Sequence, residues 1–250
     1  MKTLTGALVA LAFALAVASP AAAAPVITYL KLRALPVPGV AGTGDVLGAG
    51  ALIAGSTKIV GSEYDNSPPP LTSLTFYVPP GTRVDRRGFT TCSATTLELR
   101  GPEGCPKRSG AGPGGFAVGD VSFEGERVAE RASIRPFLAP GSGYEVYIDG
   151  HSPVLLEILA KAHVAPAASP FGLAVVGEIP LITTVPEAPD ASFVEGSITV
   201  GAAYRQGHRT VSLVTLPTHC PNGGWAVEEL MRFLGGSEAS ANGKLPCPPS

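Results

Sequence analysis

Short runs in which apolar and polar positions alternate dominate the chain. The clearest covers Leu71 to Val78, rich in β-branched and aromatic residues, and Pro79-Pro80-Gly81 ends it with a turn. Val26 to Leu35 reads as a strand closed by Pro36 to Gly39, and Val46 to Val60 as a Gly/Ala-rich extended segment. Further strands are predicted over Phe116 to Phe123, Val128 to Leu138, Tyr144 to Ile148, Leu173 to Val185, Ser192 to Tyr204 and Thr210 to Leu216. Val154 to His163 and Trp225 to Leu234 fit either a helical stripe or alternation. Both are read as strands because every neighbour is one. In the second, Trp225, Val227, Met231 and Phe233 carry the alternating phase. Thr91 is placed to cap a short helical turn from Cys92 to Leu97.

Turn signals recur about every 8 to 15 residues, the spacing of a sandwich or barrel. The expectation is an all-β, sandwich-like antiparallel fold, Ig-like or jelly-roll-like, filling residues 24–250 as one domain. A weak internal echo keeps two packed sub-sandwiches open. Cys105-Pro106 leads to Gly114-Gly115-Phe116-Ala117-Val118, and Cys220-Pro221 leads to Gly223-Gly224-Trp225-Ala226-Val227.

The first 23 residues stand apart from this pattern. Lys2, an uncharged apolar run from Leu4 to Ala18, and small residues at Ala21 and Ala23 form a secretory signal peptide cleaved after Ala23. The run is shorter than the ~20 residues that span a bilayer. No second long apolar stretch follows, so no transmembrane segment is expected after cleavage. The protein is expected outside the cytoplasm, secreted or associated with the cell surface.

That location changes how the cysteines are read. Cys92, Cys105, Cys220 and Cys247 can pair in three ways, and sequence proximity favours Cys92–Cys105 and Cys220–Cys247. The first bridge closes a loop of roughly 14 residues, worth roughly 3 kcal/mol in the chain-entropy account. No C-x-x-C spacing points to zinc or redox chemistry. The 31 glycines and 25 prolines suit many turns, and the 45% apolar content argues against disorder. A net charge of -2 with both signs scattered gives no electrostatic footprint for nucleic acid or an anionic membrane. Arg83, Arg86 and Arg87 read as a solvated loop.

Candidate chemistry is sparse. The sequence has no nucleophile elbow, phosphate loop, H-E-x-x-H or EF-hand pattern. The densest polar stretch runs from Tyr144 to Ser152, with Asp149-Gly150 read as a turn pair. Asp149 and His151 are the binding candidates, for a sugar or a cation. Glu124 with Glu126, and Glu228 with Glu229, are read as solvent-facing decoration rather than paired catalytic carboxylates. Trp225 is assigned to the core. No catalytic residue, metal ligand or cofactor is expected.

Leu35 to Gly39, Pro69 to Gly81, Phe89 to Leu97, Gly104 to Lys107, Asp149 to Pro153 and Val185 to Asp190, together with the leader, resemble an uncharacterised family of exported actinobacterial proteins. The resemblance implies a secreted β-rich domain with a stapled loop and no assigned activity. The resulting expectation is a non-catalytic extracellular or envelope domain that binds or builds structure. The sequence does not specify its partner; cell-wall polysaccharide and another surface protein are the candidates. An envelope hydrolase of glycans or esters and a self-assembling surface subunit are the alternatives.

Overall fold

Alternation along each strand leaves one apolar row per strand, and a sheet with one apolar face must cover it. In the computed structural model, which describes residues 24–37 and 50–247, the sheet does so by curling on itself. Residues 1–23, read from the sequence as a signal peptide, lie outside the described residues, as do residues 46–49 of the second predicted strand.

The strands in chain order are β1 (Val26–Pro36), β2 (Ala51–Val60), β3 (Leu71–Val78), β4 (Arg83–Val84), β5 (Gly114–Phe123), β6 (Glu126–Leu138), β7 (Tyr144–Gly150) and β8 (Leu156–Pro166). They continue with β9 (Leu173–Glu178), β10 (Ser192–Val200), β11 (Ala203–Gln206), β12 (Arg209–Ser212), β13 (Val214–Thr215), β14 (Trp225–Phe233) and β15 (Glu238–Leu245). Eleven of them form one antiparallel sheet in the order β1-β2-β10-β5-β6-β7-β8-β9-β3-β14-β15. The all-β antiparallel expectation stands. These eleven strands are one continuous sheet.

The sheet is nearly closed into a barrel. Its two edges, β1 and β15, meet through side chains rather than through a backbone ladder. Leu30 of β1 packs over Gly243 of β15, where a Cβ would stand 3.2 Å from Leu30 Cδ2. Leu32, Trp225, Val227 and Leu245 pack together on the inner side of this seam. Near one end, Ile59, Leu71, Met231, Phe233 and Ala239 fill the barrel. Near the other, Leu138, Leu213, Val214 and Ala111 do so, beside the short ladder of β13 with β4.

The ambiguous segments are strands, β8 and β14. Several predicted strands are shorter than expected. Leu173 to Val185 ends at Glu178, and residues 179–191 cross the barrel end instead. Their turn is tied by Ala191 N–H donating to the Ile182 carbonyl at 2.7 Å and Thr183 Oγ1 donating to Asp190 Oδ1 at 2.6 Å. Ser192 to Tyr204 breaks after Val200, and Thr210 to Leu216 divides between β12 and β13.

The helix α1 (Ala94–Arg100) starts two residues later than expected. Ser93, not Thr91, caps it by accepting the Thr96 N–H. Disulfides join Cys92 to Cys105 and Cys220 to Cys247. The first closes the loop that carries α1 on itself, and Leu97 packs this loop with Phe137 and Tyr147 on the outside of the barrel. The second brackets the β14–β15 hairpin. Among the described residues no helix is long and apolar enough to cross a membrane.

Candidate functional site

Curling an eleven-stranded sheet leaves more room inside than its side chains fill. The barrel holds a cavity of about 350 Å³. Its wall is apolar almost throughout: Ile53, Leu74, Phe76, Val146, Ile148, Ile158, Val175 and Ile198 are its larger members. Alternation puts them there. Val146 and Ile148 on β7 face Ala160 and Ile158 on β8 in register, and Phe76 on β3 faces Val175 on β9. Pro180 and Ile182 of the 179–191 crossing line it toward one end, and Leu213 and Val214 toward the other. Tyr144 stands near this second end. Burial raises its phenol pKa, while the nearby Arg86 cation opposes that.

Two carboxyl side chains belong to this inner face. Glu130 on β6 lines the cavity and is buried. Its Oε1 accepts the Ser152 N–H at 3.1 Å and its Oε2 the Val154 N–H at 3.3 Å, so it ties down the loop after β7. Gly150 makes room for it, since a Cβ there would sit 2.6 Å from Glu130 Oε1. Asp149-Gly150 is therefore not a hairpin turn. It ends β7, and the glycine answers a close approach.

Glu229 on β14 is the second, with 0% of its surface exposed. Its register partners are Phe76 on β3 and Ala241 on β15, both apolar. Thr57 of the cavity wall donates its hydroxyl to Glu229 Oε2 at 2.7 Å, across the seam from β2. Oε1 is buried without a hydrogen-bond partner. Burial pushes this carboxyl up to about 7, with the Thr57 hydroxyl pulling the other way. The expectation that Glu229 is solvent decoration is thus reversed. Glu124 and Glu126 do not share a strand face either. Glu124 lies in the β5–β6 turn at φ 51°, and Glu126 opens β6.

The sequence-derived candidates lie elsewhere. Asp149 and His151 are brought together, His151 Nε2 being 3.2 Å from Asp149 Oδ2, with Asp149 17% and His151 71% exposed. They are on the outer phase of the sheet, not in the cavity. Tyr147 on the same phase donates its hydroxyl to Glu157 Oε1 at 3.1 Å. Arg135 stacks over the Tyr147 ring and reaches Glu103 Oε1 at 3.4 Å. The basic cluster is only partly a solvated loop. Arg87 pairs with Asp85 in solvent, but Arg86 donates to the Ala139 and Gly141 carbonyls and lies over Tyr144. Trp225 is in the core, its indole N–H donating to the His219 carbonyl at 3.1 Å.

Comparison with family models, with curated proteins and with solved structures gives no match.

Proposed function

We propose that this protein is a non-catalytic extracellular or envelope binding domain whose ligand is an apolar small molecule held inside the barrel. The observation that carries the reading is the cavity of about 350 Å³ with almost wholly apolar walls. Small-molecule sites are concave, apolar, largely preformed and roughly 300–1,000 Å³ in volume. A well-packed core leaves no such void, because each lost contact costs stability. Two local disulfides and the absence, among the described residues, of a membrane-length helix are compatible with a secreted protein.

Titration of the mature protein with the neutral dye Nile red tests this. Saturable one-to-one binding is expected. Ala160→Phe and Ile148→Trp, each placing a larger side chain in the cavity, weaken it at least tenfold while the circular dichroism spectrum is kept. A folded wild type without saturable binding overturns the reading, and so do two folded variants that bind as tightly as wild type.

Self-assembly is a second reading with an observation of its own. Val26, Tyr29, Leu35 and Val60, on the edge pair β1 and β2, are exposed apolar side chains beside an unpaired sheet edge. A solution mass equal to one chain across a hundredfold range of concentration rules it out.

A further inference from the structure

The wall around the cavity is not sealed evenly. β9 ends at Glu178, which pairs with Lys161 of β8. Beyond that pair, residues 156–160 of β8 have β7 on one side and no strand on the other. Their neighbour on the open side is the start of the 179–191 crossing. This segment is tied to β3 by the Ile179 N–H donating to the Thr72 carbonyl at 3.0 Å, and to β5 by the Thr184 hydroxyl donating to the Ser122 carbonyl at 2.7 Å. Arg127 of β6 donates to its Asp190 carbonyl at 3.1 Å. Among the described residues none of its hydrogen bonds runs to β8.

A groove of about 410 Å³ lies in this gap, with residues 155–159 on one bank and 180–183 on the other. Leu156, Ile158, Pro180 and Ile182 line both the groove and the barrel cavity. The two spaces are therefore separated by one layer of apolar side chains. The rim is apolar and open to solvent, Leu155 being 71% and Leu181 47% exposed. The seam of β1 with β15 also lacks a backbone ladder, but there Leu32, Trp225 and Leu245 are buried against one another. A ligand crossing a laddered part of the wall would strand backbone N–H and C=O groups away from water. Between β8 and the crossing it parts only side-chain contacts, each of them weak.

We infer that ligands reach the barrel interior between β8 and residues 180–183, with Leu156, Ile158, Pro180 and Ile182 as the gate and Leu155 and Leu181 as the rim met first. The inference rests on the cavity being the binding site. It assigns a route, which governs how fast a ligand is exchanged rather than how tightly it is held.

A bridge across the groove tests it. All four native cysteines are paired, so introduced thiols react alone. In the double variant Leu155→Cys, Leu181→Cys a short bismaleimide links the two banks. Stopped-flow binding of Nile red is compared between this bridged protein and the same variant capped with N-ethylmaleimide. Bridging lowers the association and dissociation rates at least tenfold each and leaves Kd within twofold. Rates unchanged within twofold overturn the inference and leave the binding reading standing. A weakened Kd with an unchanged association rate overturns it too, because the groove then shapes the site rather than the path. Absence of saturable dye binding to the folded wild type overturns both. Should the bridge not form, polyethylene glycol maleimide on Leu181→Cys obstructs the groove instead. It slows both rates at least tenfold, while the same label on Leu99→Cys, at a position of α1 that is 78% exposed, does not. Equal rates in the two labelled proteins overturn the inference.

Discussion

Glu229, together with Glu130, separates this interior from a plain hydrocarbon core. In the native state it holds its proton up to about pH 7, against an ordinary value of 4.5. A raised carboxyl pKa favours the native state below the unfolded value, and that benefit is lost as pH rises through the native one. Unfolding free energy therefore declines between about pH 4.5 and 7 by roughly 3 kcal/mol from this group, then levels off. Glu229→Gln removes the decline, so variant and wild type diverge in urea titrations at pH 8 and converge at pH 4.5. A parallel pair of pH profiles is the contrary result. The sequence carried a signal for this residue. Trp225, Val227, Met231 and Phe233 mark the apolar phase of β14, and Glu229 occupies the gap in that phase. A polar residue on an apolar phase is either solvated by a break in the strand or buried by intent, and β14 has no break there. Reading Glu228 and Glu229 as a pair hid the fact that alternation sends them to opposite faces. Asp149 and His151 were legible as neighbours but not as outward-facing. Their double replacement by alanine leaves Nile red affinity in the cavity unchanged within twofold, and a tenfold loss would place them in the site after all.

At the scale of elements, local chemistry predicted the strands better than their ends. Leu71–Val78 matches its prediction at both ends, because prolines flank it and branched residues fill it. The failures lie where the chain leaves the sheet while staying apolar. Ile179, Pro180 and Ile182 continue the hydrophobic run of β9, yet they line the cavity from a crossing segment rather than from a strand. Apolar residues lining the end of a barrel look like strand residues in one dimension. The stapled helix is a separate case. α1 has seven residues, too few to persist alone, and its stability comes from the Cys92–Cys105 bridge and from Leu97 packing under it. Replacing both cysteines with serine lowers stability by about 3 kcal/mol in denaturant titrations. Because α1 covers the outer face of the sheet, cavity affinity for Nile red is expected to survive in the molecules that remain folded. Loss of dye binding in parallel with intact circular dichroism would show that the helix holds the interior in shape.

For the whole molecule, alternation announces one buried face per strand but cannot say what the face is turned against. A sandwich and a barrel satisfy the same pattern, and the choice between them lies in pairings that no local window contains. Ser56 meets Ser197 at a separation of 141 residues, and Thr72 meets the Arg232 carbonyl at a separation of 160. Between those distant joins, β5 to β9 form a run of sequential antiparallel neighbours. The order of the sheet has a consequence in time. As the chain leaves the ribosome, the β5–β9 meander has all its internal partners once residue 178 has emerged, whereas β3 has only β9 on one side until β14 arrives on the other, and the barrel waits for β15. Closing loops of this length before their contacts form makes folding slow. Pulse-labelled hydrogen exchange during refolding is expected to protect β5 to β9 first, and simultaneous protection of β3 and β14 would contradict that order. A sheet whose closing strand follows all its other strands leaves its apolar face uncovered until that strand arrives, so the interior is the last part of this molecule to become dry.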